Sequence, residues 1–243
     1  MNDKKLIYQA TWSGANVNGK IKINGVELSA ISAANDMGTV PLNVWLIGKN
    51  EVQVELAKIN PAEQAECSVA VSALTPGEPT STNEKGNLIS LLITNKDLSK
   101  TFKVSKYFNS ALDFSSHLIS SGPKPGEKEL LDYAGEIYRL FAAKDNRSLL
   151  KEFAPKLKDY ASGLYQNDLE KQFESYLKDE LFKSQLEKVN TASLKAVKAG
   201  PTLALWHIMD GNKEFIRTVS AAGDLSELPI YIGMFEGKLK VIR

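Results

Sequence analysis

The strongest constraint in this chain is a change of hydrophobic period. Up to about residue 118, apolar side chains recur at every second position. Beyond the run Ser120-Ser121-Gly122-Pro123-Lys124-Pro125-Gly126 they recur about every 3.6 positions. A period of two marks strands with one buried face, and 3.6 marks amphipathic helices. The run between them suits neither a helix nor a central strand. With 243 residues the chain is long enough for two ordinary domains. The expected division is residues 1–118, a linker at 119–126 and a second domain at 127–243. The expected fold class is α+β in two domains: an N-terminal antiparallel β-sandwich, then C-terminal helices packed on an antiparallel meander sheet.

In the first half, Glu51-Val52-Gln53-Val54-Glu55-Leu56 alternates polar and apolar residues, and Ile21 and Ile23 alternate with Lys20, Lys22 and Asn24. Asn24-Gly25 is a strong two-residue hairpin signal. Leu6–Trp12, Leu42–Ile47, Cys67–Ala73, Leu88–Thr94 and Thr101–Ser105 read as further strands. Gly48-Lys49-Asn50, Asn60-Pro61 and the long Thr75–Asn87 stretch, with Pro79 inside it, read as turns. Seven short strands spaced by turns predict a sandwich.

In the second half, Leu130, Ala134, Ile137 and Phe141 share one helical face. Lys144-Asp145-Asn146 breaks that helix, and Asn146 or Asp145 can cap the next, which carries Leu149, Leu150 and Phe153. Pro155 suits the first turn of a third helix, and the apolar stripe then runs to about Lys188, interrupted at Gly163. The last 50 or so residues return to strands. Leu203–Met209 and Glu214–Ser220 flank a turn, as do Pro229–Phe235 and Lys238–Arg243, and Ser193–Lys198 adds one more strand.

Lys and Arg total 30 against 29 Asp and Glu, so no global field recruits nucleic acid or anionic lipid. No stretch approaches the roughly 20 apolar residues of a membrane helix. The start has charge but no apolar run behind it. The location expected is therefore cytoplasmic if that start is native, and periplasmic or secreted if a leader was removed. A single cysteine, Cys67, excludes an intrachain disulfide framework and a cysteine-built zinc site. Two histidines, His117 and His207, leave little material for metal or triad chemistry, and no cofactor or metal is expected.

The near-motifs weaken on inspection. Gly14-Ala15-Asn16-Val17-Asn18-Gly19-Lys20-Ile21 approaches a phosphate-binding loop, but Ile21 lacks the hydroxyl and the following residues read as strand, so a hairpin loop is the reading. Asp113-Phe114-Ser115-Ser116-His117 gathers an acid, two hydroxyls and an imidazole beside the linker, and reads as a polar surface turn. Lys195, Lys198, Arg217, Lys238, Lys240 and Arg243 tint the last sheet basic, diluted by Glu214, Glu227 and Glu236, which reads as a solvated face.

His207 lies in Leu203-Ala204-Leu205-Trp206-His207-Ile208-Met209, sharing a strand face with Leu205 and Met209 while Trp206 looks the other way with Ala204 and Ile208. Both faces are apolar and expected to be covered, by helices on one side and by the first domain, a second subunit or a ligand on the other. An imidazole there is a core residue or a proton carrier, with Asp210, Tyr231 and Glu214 as possible partners. The candidate ligand-binding residues are Trp206, His207, Asp210 and Tyr231.

Pro41–Val54, with its Gly48-Lys49-Asn50-Glu51-Val52 turn into a strand, resembles accessory jelly-roll and immunoglobulin-like domains. That resemblance implies a sandwich that binds carbohydrate or packs against a neighbour, although Trp12 and Trp45 read as core. Tyr138–Leu150 is similar to the helix–break–helix opening of NTF2-like and cystatin-like α+β domains, which implies a cone serving as a small-molecule pocket, enzyme site or dimer interface. The extra helical stretch at about 155–188 departs from that layout, and no catalytic residues carry over. The function expected is a non-catalytic binding or interaction protein for an unknown protein or small-molecule ligand. The alternatives are a ligand-binding or enzymatic cone in the second domain, and a carbohydrate-binding sandwich. A homodimer through the C-terminal sheet is compatible with this reading; membrane and nucleic-acid partners are not expected.

Overall fold

The alternation in the first half builds strands whose apolar positions face one another across two sheets. The computed structural model describes residues 5–31, 35–77, 86–119, 124–190 and 192–243, and the chain divides into two compact units, Met1–Phe114 and Ser115–Arg243. In the first unit the strands are Ile7–Ala15 (β1), Val17–Ile23 (β2), Val26–Ile31 (β3), Asn35–Pro41 (β4), Ile47–Lys58 (β5), Glu66–Leu74 (β6), Asn87–Ile93 (β7) and Phe102–Asp113 (β8). They form two antiparallel four-stranded sheets, in the orders β4-β1-β6-β7 and β3-β2-β5-β8. Ile21, Ile23, Val52, Val54, Leu56, Val69 and Val71 are all buried, while Glu51, Gln53 and Glu55 alternate outward along β5. The two sheets meet where the Tyr8 ring of β1 stacks on Phe108 of β8, with centroids 6.3 Å apart, and the Tyr8 hydroxyl accepts from Ala111 N.

Asn24 and Gly25 have φ of 51° and 85°, the two left-handed residues a tight hairpin requires between β2 and β3. The phosphate-loop lookalike is a strand–turn–strand: Gly14 and Ala15 end β1, Asn16 turns at φ 53°, and Gly19 lies inside β2. The predicted Leu42–Ile47 strand is instead a 3₁₀ turn at Asn43–Trp45, followed at once by β5. The reason is Asn43, whose Oδ1 accepts from Tyr8 N and whose Nδ2 donates to Leu6 O. Its side chain completes the start of β1 and turns its own segment away from the ladder. Asn50 works in the same way. Its Oδ1 accepts from Ile47 N and Asn24 Nδ2, and its Nδ2 donates to Gly48 O and Ser110 Oγ. Pro79 and the rest of residues 78–85, and the linker residues 120–123, lie outside the described residues.

The second unit opens with a short helix, Ser115–Leu118 (α1), so this segment, read above as the end of the first domain, sits on the far side of the division. The longer helices are Glu127–Ala142 (α2), Asn146–Gly163 (α3) and Leu169–Tyr176 (α4), followed by a π turn at Leu177–Leu181. The stripe expected to run on to about Lys188 therefore leaves the helix at Leu181, ahead of a short strand. Asp145 caps α3 by accepting from Ser148 N. Pro155 starts no helix, contrary to expectation: α3 runs through it, anchored by buried Leu149, Phe153 and Leu157.

The strands of this unit are Gln185–Leu186 (β9), Leu194–Lys198 (β10), Leu205–Asp210 (β11), Lys213–Glu214 (β12), Ile216–Val219 (β13), Leu225–Leu228 (β14), Tyr231–Phe235 (β15) and Lys238–Val241 (β16). One sheet has the order β10-β11-β15-β16, with β12 on β11. The expected meander is interrupted, because β13 and β14 leave to form a three-stranded sheet with β9. The cause is Phe215 at the bend: Phe215 and Ile216 are both buried. A half-buried strand cannot bury consecutive residues on one face, so the chain turns out of the ladder there. Ile208, Ile232 and Val241 lie under Leu130, Ala134, Ile137, Phe141, Phe153 and Leu157, which places α2 and this part of α3 on one face of the larger sheet.

Candidate functional site

Lys151, Ala154, Pro155 and Lys158 are spaced i, i+3, i+4, i+7, so α3 presents them on one face. Lys238 and Lys240 alternate along β16 with Leu239, which packs toward the helical core, so the two lysines share the opposite strand face. Phe235 pairs with Lys238 across the Glu236-Gly237 turn. These seven residues and Glu236 line a cleft of about 500 Å³ between α3 and the β15–β16 hairpin. Lys240 donates to Glu152 Oε2 at 2.8 Å. Lys151, Lys158 and Lys238 form no salt bridge among the described residues. Four lysines therefore line the cleft, three of them outside any salt bridge among the described residues and Lys240 paired with Glu152, with Glu236 as the only acid in the lining.

Behind Phe235 lies a buried charge cluster. His117 meets the Phe235 ring edge-on, with centroids 5.0 Å apart, and its Nδ1 is 2.7 Å from Asp159 Oδ1. Asp159 Oδ2 accepts from Arg243 Nη1 at 2.6 Å, and these two side chains are 3% and 0% exposed. Burial acts to lower the Arg243 pKa, and the Asp159 carboxylate opposes it. His117 is thus no surface turn, as its sequence neighbours suggested, because α1 tucks it against α3.

Lys156, on the core side of α3, lies over the rings of Phe153 (5.6 Å) and Tyr160 (5.7 Å). Burial, and then the nearby Arg243 charge, pull its ammonium down to about 8. From pH 8 to 10.5 the unfolded chain holds the proton and the folded chain does not, so stability rises with pH across that window and the full cost is present below it. Moving proton affinity from 10.5 to about 8 is worth about 3 kcal/mol, and losing the ring contacts offsets about 1 kcal/mol of that. Lys156→Met is therefore expected to raise stability by about 2 kcal/mol at neutral pH, with the gain fading as pH rises from about 8 and gone by about 10. Denaturant midpoints of parent and variant, compared at several pH values, check this; a variant no more stable than the parent at pH 7 would refute it.

Of the residues singled out in the sequence, His207 and Tyr231 come together as stacked rings with centroids 4.3 Å apart. His207 Nε2 is 2.8 Å from Glu214 Oε2, the pair half-buried. Asp210 is not a partner of His207. It accepts from Ser193 Oγ and from Arg217 Nη2 at 3.1 Å, and the hydrogen bond from Ser193, then Arg217, holds its carboxyl below the usual range. Trp206 lies on the other strand face, against the helical core. None of the four lines the lysine cleft. Trp45 is buried and Trp12 half-buried, whereas Tyr107 is an exposed ring whose hydroxyl donates to Glu51.

The basic residues of the last strands also separate. Arg217 is engaged by Glu187 and Asp210, Arg243 is buried, and Lys238 and Lys240 reach the cleft. Lys151 and Lys158 were missed by the sequence reading; their seven-residue spacing with Ala154 and Pro155 between was the signal that could have found them. Among the described residues no group of three or more His, Cys, Asp or Glu side chains is placed to hold a metal, and no helix is long and apolar enough to cross a membrane. No family model, curated protein or solved structure matches this chain.

Proposed function

We propose that this chain is a non-catalytic binding protein whose second unit takes a small, multiply charged anion in the lysine cleft. The observation that carries the reading is the convergence of Lys151, Lys158, Lys238 and Lys240 on one concavity of about 500 Å³, a size typical of small-molecule sites. Ammonium groups on flexible stems suit phosphoryl oxygens as point charges. Phe235, Pro155 and Ala154 supply the apolar part of the lining between those charges. Inorganic pyrophosphate is the probe. Calorimetric titration is expected to show saturable binding that weakens as salt is raised. Reversing two charges together, Lys158→Glu with Lys238→Glu, is expected to weaken it at least about tenfold, a loss of about 1.4 kcal/mol. Both positions are exposed strand or helix surface, so the fold is expected to persist. Pyrophosphate binding that is absent, or equal in parent and doubly reversed variant, overturns the reading.

A further inference from the structure

A second concavity, independent of the lysine cleft, lies at the far end of α2. Its volume is about 390 Å³, within the small-molecule range. Tyr138 and Phe141 from α2, Leu181 and Phe182 at the end of the π turn, and Leu186 of β9 give it apolar walls. π turns are uncommon, and they recur at binding sites because the extra residue re-aims the side chains that follow. Here it is the turn that delivers Leu181 and Phe182 to the wall. The polar groups along the lining are largely accounted for: the Tyr138 hydroxyl donates to Glu187 O, and Lys144 donates to Phe182 O.

Two features of this lining ask for a ligand. Thr218 of β13 is 2% exposed, on the same strand face as core residue Ile216, and its Oγ1 has no hydrogen-bond partner among the described residues. An unmet buried hydroxyl costs more than the valine that would fill the same space, so its presence calls for a partner. The mouth carries Lys144 and Lys188, both exposed and neither in a salt bridge among the described residues. Apolar walls, one buried hydroxyl and two cations at the rim match a molecule with a hydrocarbon body and an anionic head.

We infer that this concavity binds a small apolar carboxylic acid, its chain against Phe141, Leu181, Phe182 and Leu186, its carboxylate held by Lys144 and Lys188, and Thr218 contributing a hydrogen bond. Decanoate is the probe, with decanol as the uncharged control, both titrated into the full chain. Decanoate is expected to bind saturably below about 1 mM, at least tenfold more tightly than decanol. Lys144→Glu with Lys188→Glu is expected to remove that preference while leaving decanol binding in place. Leu186→Trp, which fills the space, is expected to abolish both. Thr218→Val is expected to weaken decanoate about three- to tenfold, the worth of one hydrogen bond. Should the tryptophan variant fail to fold, the surface double variant still decides. No saturable decanoate binding, or equal affinity in parent, the double glutamate variant and Thr218→Val, overturns the inference. Pyrophosphate titration of the same variants is expected to be unchanged, so failure of this site and failure of the lysine cleft are read separately.

Discussion

Replacing Asp159 with alanine is expected to cost the second unit about 3–5 kcal/mol, a large part of the stability of an ordinary domain. The carboxylate is 3% exposed and answers two groups at once, the Arg243 guanidinium at 2.6 Å and the His117 ring nitrogen Nδ1 at 2.7 Å, with Lys156 close enough to Arg243 to feel its charge. Without the carboxylate, a guanidinium with no exposure stays inside near the half-buried Lys156 ammonium, and a buried charge that has lost its counter-charge costs far more than the pair was worth. Asp159→Asn keeps the shape but not the charge and is expected to fare nearly as badly. The paired replacement Asp159→Leu with Arg243→Met is expected to come back to within about 1 kcal/mol of the parent, because it removes both desolvation penalties together. Chemical denaturation followed by far-ultraviolet circular dichroism, where α2 and α3 dominate the signal, reads all three. A single Asp159 variant as stable as the parent would show that this cluster is not what ties α1, α3 and the chain end.

Gly19→Ala is expected to damage the first unit by about 3 kcal/mol or more, at the upper end of overpacking costs. A Cβ built at Gly19 would sit 1.9 Å from the carbonyl oxygen of Glu55 and 2.9 Å from Leu56 Cα. Both atoms are backbone of β5, the neighbouring strand, and Gly19 pairs with Leu56 in that ladder. Backbone has no rotamer to move away with, so the strands must part over several residues. The loss is expected to appear in the thermal unfolding of the full chain as a lowered transition of the sandwich, with the helical transition in place. Unchanged sandwich stability in Gly19→Ala would mean that β2 and β5 are not this close.

The same glycine explains what could and could not be read from the residues alone. In Gly14–Ile21 it completes a nucleotide-like spacing, yet its purpose is contact with a strand about 36 residues away, and spacing carries no information about that neighbour. The elements built by local rules were legible: the alternation of β5, the Asn24-Gly25 hairpin, the α2 stripe and the break at Lys144-Asp145-Asn146. Segments set by a distant partner were not. Asn43 turned a predicted strand into a 3₁₀ turn because it serves the backbone of β1. Phe215 took β13 out of the expected meander because the core claims two residues in a row. Pro155 reads as a helix start only while the Asp145 cap and the stripe flanking it are weighed separately. The lysine cleft is half legible, since the α3 spacing is local, but its meeting with Lys238 and Lys240 depends on tertiary register. His207 was rightly linked to Tyr231 and Glu214, whereas Asp210, at the very end of its strand, went to Arg217.

The way β1 to β8 are shared between two sheets bears on how the chain acquires its structure in time. Consecutive strands alternate between sheets in places, β1 passing to β2 at Asn16 and β5 to β6 past Asn60. β1 waits for β6, and β5 waits for β8, which ends at Asp113. On a ribosome, therefore, the eight-stranded unit is complete only once the chain has been made through Asp113, and until then β5 has an open edge. Pairings so distant along the chain slow the search, whereas the turns inside α2 and α3, the packing of α2 on α3 and the β15–β16 hairpin are local, although α3 must still find β16. The part synthesised first is thus the part that closes slowly, and the part synthesised last begins from local pieces that form quickly.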